Sequence, residues 1–240
     1  QVLCALHFYA TGSYQGQVAS DRNLAVHQIT VSACVRAVAT AIVRCFGSRW
    51  IAFPDTAEER AATQEAFLHH GSLPGVVGCV DGTFIAIKRP SKYGPTVTNA
   101  LYWCRKLCYA LNVMVVSDAD LHILAIDPRM PGTTHDLCGG VRGCARSASL
   151  ANLSGTMSTC LVSDPLEPLL MTPVPWWPAL GTSAGQYNQA HASMRAVVER
   201  CIGLLKSSFR CLQRHWTLYH HPKVAGTIVV ACAVLHNVCL

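Results

Sequence analysis

The segment Gly75-Val-Val-Gly-Cys-Val-Asp81-Gly-Thr-Phe-Ile-Ala-Ile87 constrains the fold most. It is apolar and β-branched on both sides of one acid, which is the pattern of a central strand. A lone carboxylate in such a strand costs several kcal/mol, roughly, unless a cation or donor compensates it. Asp81-Gly82 followed by Thr83 is also a hairpin signal, which would put the acid at a turn instead. Two further isolated acids, Asp164 and Glu199, stand in similarly unusual settings.

Acids are scarce in this chain, with 13 Asp and Glu in 240 residues, so each one inside an apolar run calls for a reason. A hydrophobic content of 51% with 13% charged residues describes one sizeable globular core with room for a small appended module, and excludes a disordered chain. The net charge of +6 favours an anionic partner, modestly. There are 13 cysteines but no Cys-x-x-Cys, so neither a zinc ribbon nor a thioredoxin-like site is suggested. Cys104/Cys108 and Cys138/Cys144 with His135 imitate ligand spacing, but buried thiols in a reducing compartment are the preferred reading. No cleavable signal sequence is read, and the ends Gln1 and Leu240 need not be native ones. The longest apolar run, from Val224 to Leu240, is shorter than the ~20 residues a membrane span needs, and reads as a buried terminal helix.

Residues 1–50 read as a helical segment, with a short helix from Val18 and a longer one from Ile29 to Val43, broken near Val26-His-Gln. This is either a helix-turn-helix-like unit or a plain two-helix packing element. Residues 51–72 hold a connecting helix opened by Thr56-Ala-Glu58-Glu59, a capping box, and stopped by Gly71. Residues 73–240 then carry the Asp81 strand, strands over 111–116 and 121–126 around a Ser117-to-Asp120 turn, a short strand ending at Asp164, a long helix from Asn188 to about Gln213, and a last helix after Pro222. The expectation is an α/β domain with a mixed sheet flanked by helices. Adjacent strands would set Asp81 beside Asp164, and the long helix could lay Glu199 across them. Such a carboxylate cluster suits a pair of divalent ions in phosphoryl transfer.

Leu73-Pro-Gly-Val-Val-Gly-Cys-Val-Asp81-Gly-Thr-Phe-Ile resembles the first catalytic block of Harbinger-type, transposase-derived nucleases. Arg129-Met-Pro-Gly-Thr-Thr-His135-Asp136 resembles that family's Pro-Gly-Ser-x-His-Asp block. Tyr187-Asn-Gln-Ala-His191, Val198-Glu199-Arg200-x-x-Gly203-x-Leu205-Lys206 and Leu235-His236-Asn237 resemble its last blocks. The resemblance implies a ribonuclease-H-like fold and a DDE metal site holding Mg²⁺ or Mn²⁺. It implies a DNA substrate, a Myb-like DNA-binding partner, and location in the nucleus with the cytoplasm as a second place. Asp81, Asp164 and Glu199 would take the three catalytic roles, with Asp136 as a fourth metal-site acid. Taken alone, Asp136 is equally well a helix cap, and Glu199 an i,i+4 partner of Arg195. Asp118 and Asp120 read as turn residues, and Glu167 as surface.

The chain departs from the family after its second aspartate. Where the family reads Ser-Gly-Tyr-Pro, Asp164 runs directly into Pro165-Leu-Glu167-Pro, and the proline restricts the preceding backbone to extended conformations. The alternative to an active metal-dependent endonuclease is therefore a catalytically dead, transposase-derived DNA- or protein-binding module. A Ser or Cys hydrolase finds no Gly-x-Ser-x-Gly elbow. Lys88, Arg89, Lys92, Arg105 and Lys106 flank Tyr93, Tyr102 and Trp103, a mixture suited to a DNA backbone and unstacked bases. Arg200, Lys206, Arg210 and Arg214 read as a solvated helix face.

Overall fold

The computed structural model describes residues 1–12, 27–71, 73–90, 96–134, 159–163, 168–176 and 178–240. The helices are α1 (Val2–Thr11), α2 (Gln28–Trp50), α3 (Ala57–His70), α4 (Thr96–Leu101), α5 (Ser183–Ser208) and α6 (Pro222–Cys239). The strands are β1 (Val76–Ala86), β2 (Trp103–Cys104), β3 (Cys108–Ser117), β4 (Ile123–Pro131), β5 (Thr159–Ser163) and β6 (Pro168–Met171). They form one sheet in the order β2-β3-β1-β5-β6, with β4 also paired to β3.

The Gly75–Ile87 segment is a strand through Ala86, with Asp81 in its middle opposite Val115 of β3, so the hairpin alternative is excluded. Every described strand pairing is antiparallel, where a mixed sheet was expected; the parallel contact is an isolated bridge between Ile87 and Leu218. Apolar periodicity identifies a strand but carries no information on its direction, which the connections set.

Alternation along β1 and β3 divides the core into two faces. Cys79, Ile85, Leu111, Val113 and Val115 point into the large core shared with the helices, whereas Val77, Val80, Met114, Val116 and Ala125 form a smaller cluster of their own. α2 buries Val31, Cys34, Val35, Val38 and Ala39, the i, i+3, i+4, i+7, i+8 stripe of an amphipathic helix, and lies between α1 and α6. α6 is largely buried between α2 and β4, as read for the terminal apolar run, although by length and composition alone α2 and α6 would each reach across a membrane.

Local signals explain most helix ends. Thr56 and Glu59 form the full capping box at the start of α3. Gly71 ends it in an extended conformation, not the left-handed one a glycine stop suggests, and what its missing side chain provides is room for Met194 of α5. His27 caps α2, which matches the expected break, but the helix continues to Trp50. α5 begins at Ser183, capped by Thr182 onto the Gly185 amide, earlier than Asn188. Residues 13–26, which hold the first helix and turn of the helix-turn-helix reading, lie outside the described residues.

Candidate functional site

Asp81 is half-buried, and its Oδ1 accepts a hydrogen bond from the Gly82 amide at 2.9 Å. Its side chain belongs to the face shared by Cys79, Thr83 and Val115, because residues two apart on a strand point the same way. That face meets α5. Cys79 Sγ donates to the Met194 carbonyl at 3.3 Å, and Lys206 Nζ donates to Thr83 Oγ1 at 2.7 Å and to the Phe84 carbonyl at 3.1 Å. The two anchors lay the helix along the strand. From Met194, Glu199 lies about 7.5 Å up the helix axis, and from Cys79, Asp81 lies about 6.6 Å along β1. Glu199 is therefore level with Asp81 on the side of the sheet that Asp81 faces.

Val197, Val198 and Ile202 are buried, as expected of an inward face, but Glu199 stands at its edge with 51% of its side chain exposed. It pairs with Arg195 at 2.9 Å. The i,i+4 alternative for Glu199 is thus realised, and a metal ion would compete with an exposed ion pair for this carboxylate.

Asp136 and Asp164 lie outside the described residues, as do His135, Lys92 and Glu167. The strand that leads to Asp164 is described. β5 runs antiparallel to β1 with Val162 opposite Val76 and Thr159 opposite Val80, so its C-terminal end points toward the start of β1. Val76 lies about 17 Å along the strand from Asp81. Among the described residues no group of three His, Cys, Asp or Glu gathers as a ligand cluster. Asp118 behaves as a turn residue, its Oδ1 accepting from the amides of Asp120 and His122, and burial pushes its carboxyl up from the ordinary range. Cys104 and Cys108 face each other as free thiols with sulfurs 3.6 Å apart.

The basic residues come together more closely than the chain order suggests. Lys88 lies over the Tyr219 ring at 5.8 Å and Arg89 over Tyr109 at 5.9 Å. Arg105 and Lys106 both lie over Phe84, at 5.8 and 5.7 Å. Arg214 Nη2 donates to the Lys106 carbonyl at 3.0 Å, and burial, followed by the charge of Lys106, brings the Lys206 ammonium down to about 8. Lys206 and Arg214, read from sequence as a solvated helix face, are thus part of one cationic surface with Arg105 and Lys106. No periodicity in the sequence links them; the packing of α5 along β1 and of the segment after α5 on the β2–β3 loop does.

Three motif blocks prove to be structural clamps. Tyr187 Oη donates to the Thr172 carbonyl, Asn188 bonds both the amide and the carbonyl of Val174, and His191 Nε2 meets the Met171 carbonyl at 3.0 Å. Together they fasten the chain after β6 to α5. His236 Nε2 meets the Leu121 carbonyl, while Asn237 accepts from the Ile123 amide and donates to the carbonyls of Ile123 and Trp50. Within Arg129-Met-Pro-Gly, Arg129 forms a two-point pair with Asp127, a buried acid that sequence reading had not singled out.

Comparison with known proteins identifies relatives of one kind. The chain is 31% identical over 246 residues to Putative nuclease HARBI1 of Homo sapiens, covering 100% of this chain and 66% of the relative. It is likewise 31% identical to the Bos taurus and Xenopus laevis proteins of that name, covering 66% and 67% of them. It spans just under two thirds of the length of the human and bovine relatives. No solved structure matches it significantly. The profile described as DDE superfamily endonuclease matches residues 80–237, from β1 to the end of α6. The chain belongs to the DDE superfamily endonucleases.

Proposed function

We propose that this chain is a DNA endonuclease of transposase origin whose reaction depends on a divalent metal, with Asp81 and Glu199 as two of its carboxylates. The supporting observation is the pair of anchors, Cys79 to Met194 and Thr83 to Lys206, that brings Glu199 level with Asp81 on one face of β1. Carboxylate oxygens are hard donors suited to Mg²⁺ or Mn²⁺, so the two described acids fit such an ion. Asp136 and Asp164, implied by the family resemblance, would complete the set. A bound divalent ion supplies charge stabilisation at the phosphoryl group and a water of lowered pKa.

The protein's own residues do the rest. Lys88, Arg89, Arg105 and Lys106 neutralise backbone phosphates and hold the strand across β1, with Lys92 beside them in sequence. The Lys206 bonds to Thr83 and Phe84 keep α5 and β1 in fixed relation, and with them the backbone positions of Glu199 and Asp81. Arg195 keeps Glu199 charge-compensated until metal arrives.

The antiparallel register of β5 favours a second reading, a nuclease fold kept as a DNA-binding module, because it directs the strand before Asp164 away from Asp81. Metal uptake separates the two. Electron paramagnetic resonance of free Mn²⁺ during titration is expected to show uptake by the wild type and its loss in Asp81→Asn and Glu199→Gln. Equal uptake by all three proteins removes Asp81 and Glu199 from the metal site.

A further inference from the structure

α2 covers its apolar stripe only in its first half. Val31, Cys34, Val35, Val38 and Ala39 are buried, whereas Ile42 and Val43, which continue the same stripe, are only partly so. Beside them α2, β4 and α6 line a half-open cavity of about 760 Å³, within the size range of small-molecule sites. Its apolar wall is formed by Val43 of α2, Leu111 of β3, Ile126 of β4 and Val230 of α6. The cavity lies apart from the candidate metal site, because Leu111 pairs with Ile85, about 13 Å along β1 from Asp81.

The walls are set before anything binds. Gly226 lets α6 come close against β4, since a Cβ there would meet Pro128 Cγ at 3.3 Å. On β4, Asp127 is buried, and its Oδ1 accepts from the Arg129 amide and Nε while its Oδ2 accepts from Nη2. Both groups line the cavity, but their charges cancel as a pair. Lys223, in the first turn of α6, supplies the charge that is left at the rim. Among the described residues no carboxylate lies within ion-pair distance of its ammonium. An apolar wall with one positive charge at its edge complements a molecule with an apolar body and one anionic head; a neutral apolar molecule would leave Lys223 unused.

We infer that this cavity binds a small amphipathic anion, an apolar ring or chain bearing one carboxylate or sulfonate. The head sits on Lys223, and the body lies against Val43, Leu111, Ile126 and Val230. Pockets of this build, mostly apolar with a few placed polar groups, are where proteins hold small ligands. The inference is independent of the nuclease reading, since none of these residues belongs to the candidate metal site or to the cationic surface beside β1.

The test uses two fluorescent probes with the same rings, anilinonaphthalene sulfonate and the uncharged phenylnaphthylamine, both of which brighten in apolar surroundings. The expected result is one saturable site in the wild type that binds the sulfonate roughly threefold more tightly than the neutral amine, the discrimination of one exposed charge pair. Lys223→Gln is expected to remove that preference and leave the neutral probe unchanged. Val43→Phe and Val230→Phe fill the cavity from two different helices, and each is expected to weaken both probes. Thermal melting shows which variants are folded, so that a defect in one filling variant leaves the other to decide. Equal affinity of the wild type for the two probes, or a preference that survives Lys223→Gln, overturns the assignment of an anion. Undiminished binding by either folded filling variant overturns the cavity as the site. A wild type that takes up neither probe overturns the whole inference.

Discussion

Asp81 and Glu199 show how differently two acids on one candidate site are held. Asp81 is fixed by a strand and by the Gly82 amide, while Glu199 is held by an exposed partner on its own helix. Exposed i,i+4 pairs contribute little, so Arg195→Ala is expected to change stability by no more than about 0.5 kcal/mol. A larger loss by urea denaturation would give Arg195 a packing role. Asn237 is the opposite case. It is buried and satisfies three backbone groups from two separated segments, so Asn237→Ala strands a buried amide and two carbonyls. The expected cost is about 3 kcal/mol, read as a lowered urea midpoint at an unchanged slope. The sequence motifs named Asn188, His191, His236 and Asn237 together with the acids. Only the fold separates the clamps from the site, because a motif writes both kinds of residue in the same letters.

At the scale of elements, the legible parts were those with local chemistry. The α3 cap, the β3–β4 turn around Asp118 and the proline start of α6 all rest on side chains within a few residues of the boundary. Thr56→Ala removes the cap and is expected to cost about 1 kcal/mol, checked by thermal melting alongside Thr56→Ser, which retains the acceptor. α1 lies inside the helical segment read over residues 1–50 but is not delimited within it, because nothing announces its ends: it has no side-chain cap, no charge in either end turn, and a mostly apolar composition that reads equally well as any buried segment. Strand direction was the other failure. The sequence reads as a strand at β5 but carries no sign of its antiparallel pairing with β1, and that direction decides how the strand lies relative to Asp81.

Across the whole molecule, packing of helices on one face of the sheet traps imidazoles in low dielectric. Burial lowers the pKa of His191, His220 and His236 below the ordinary histidine value. Unfolding lets them take up protons, so the unfolded state binds more protons as pH falls below about 6.5. Their contribution to stability is present above that pH and is lost on acidification through the folded-state values. Asp118, whose carboxyl is raised by burial, works in the opposite sense. Stability measured by urea titration is expected to fall between pH 7.5 and pH 5, about the window of ordinary histidine titration; a flat profile would mean that the three rings are hydrated in the native state.

Whether the protein is a nuclease that uses Asp81 is decided by incubating supercoiled DNA with it and Mn²⁺, alongside an Asp81→Asn variant prepared identically. Nicking by the wild type and none by the variant is expected, with DNA binding retained by both. Nicking at equal rates by the two proteins, or silence from a folded wild type that still binds DNA, would contradict it.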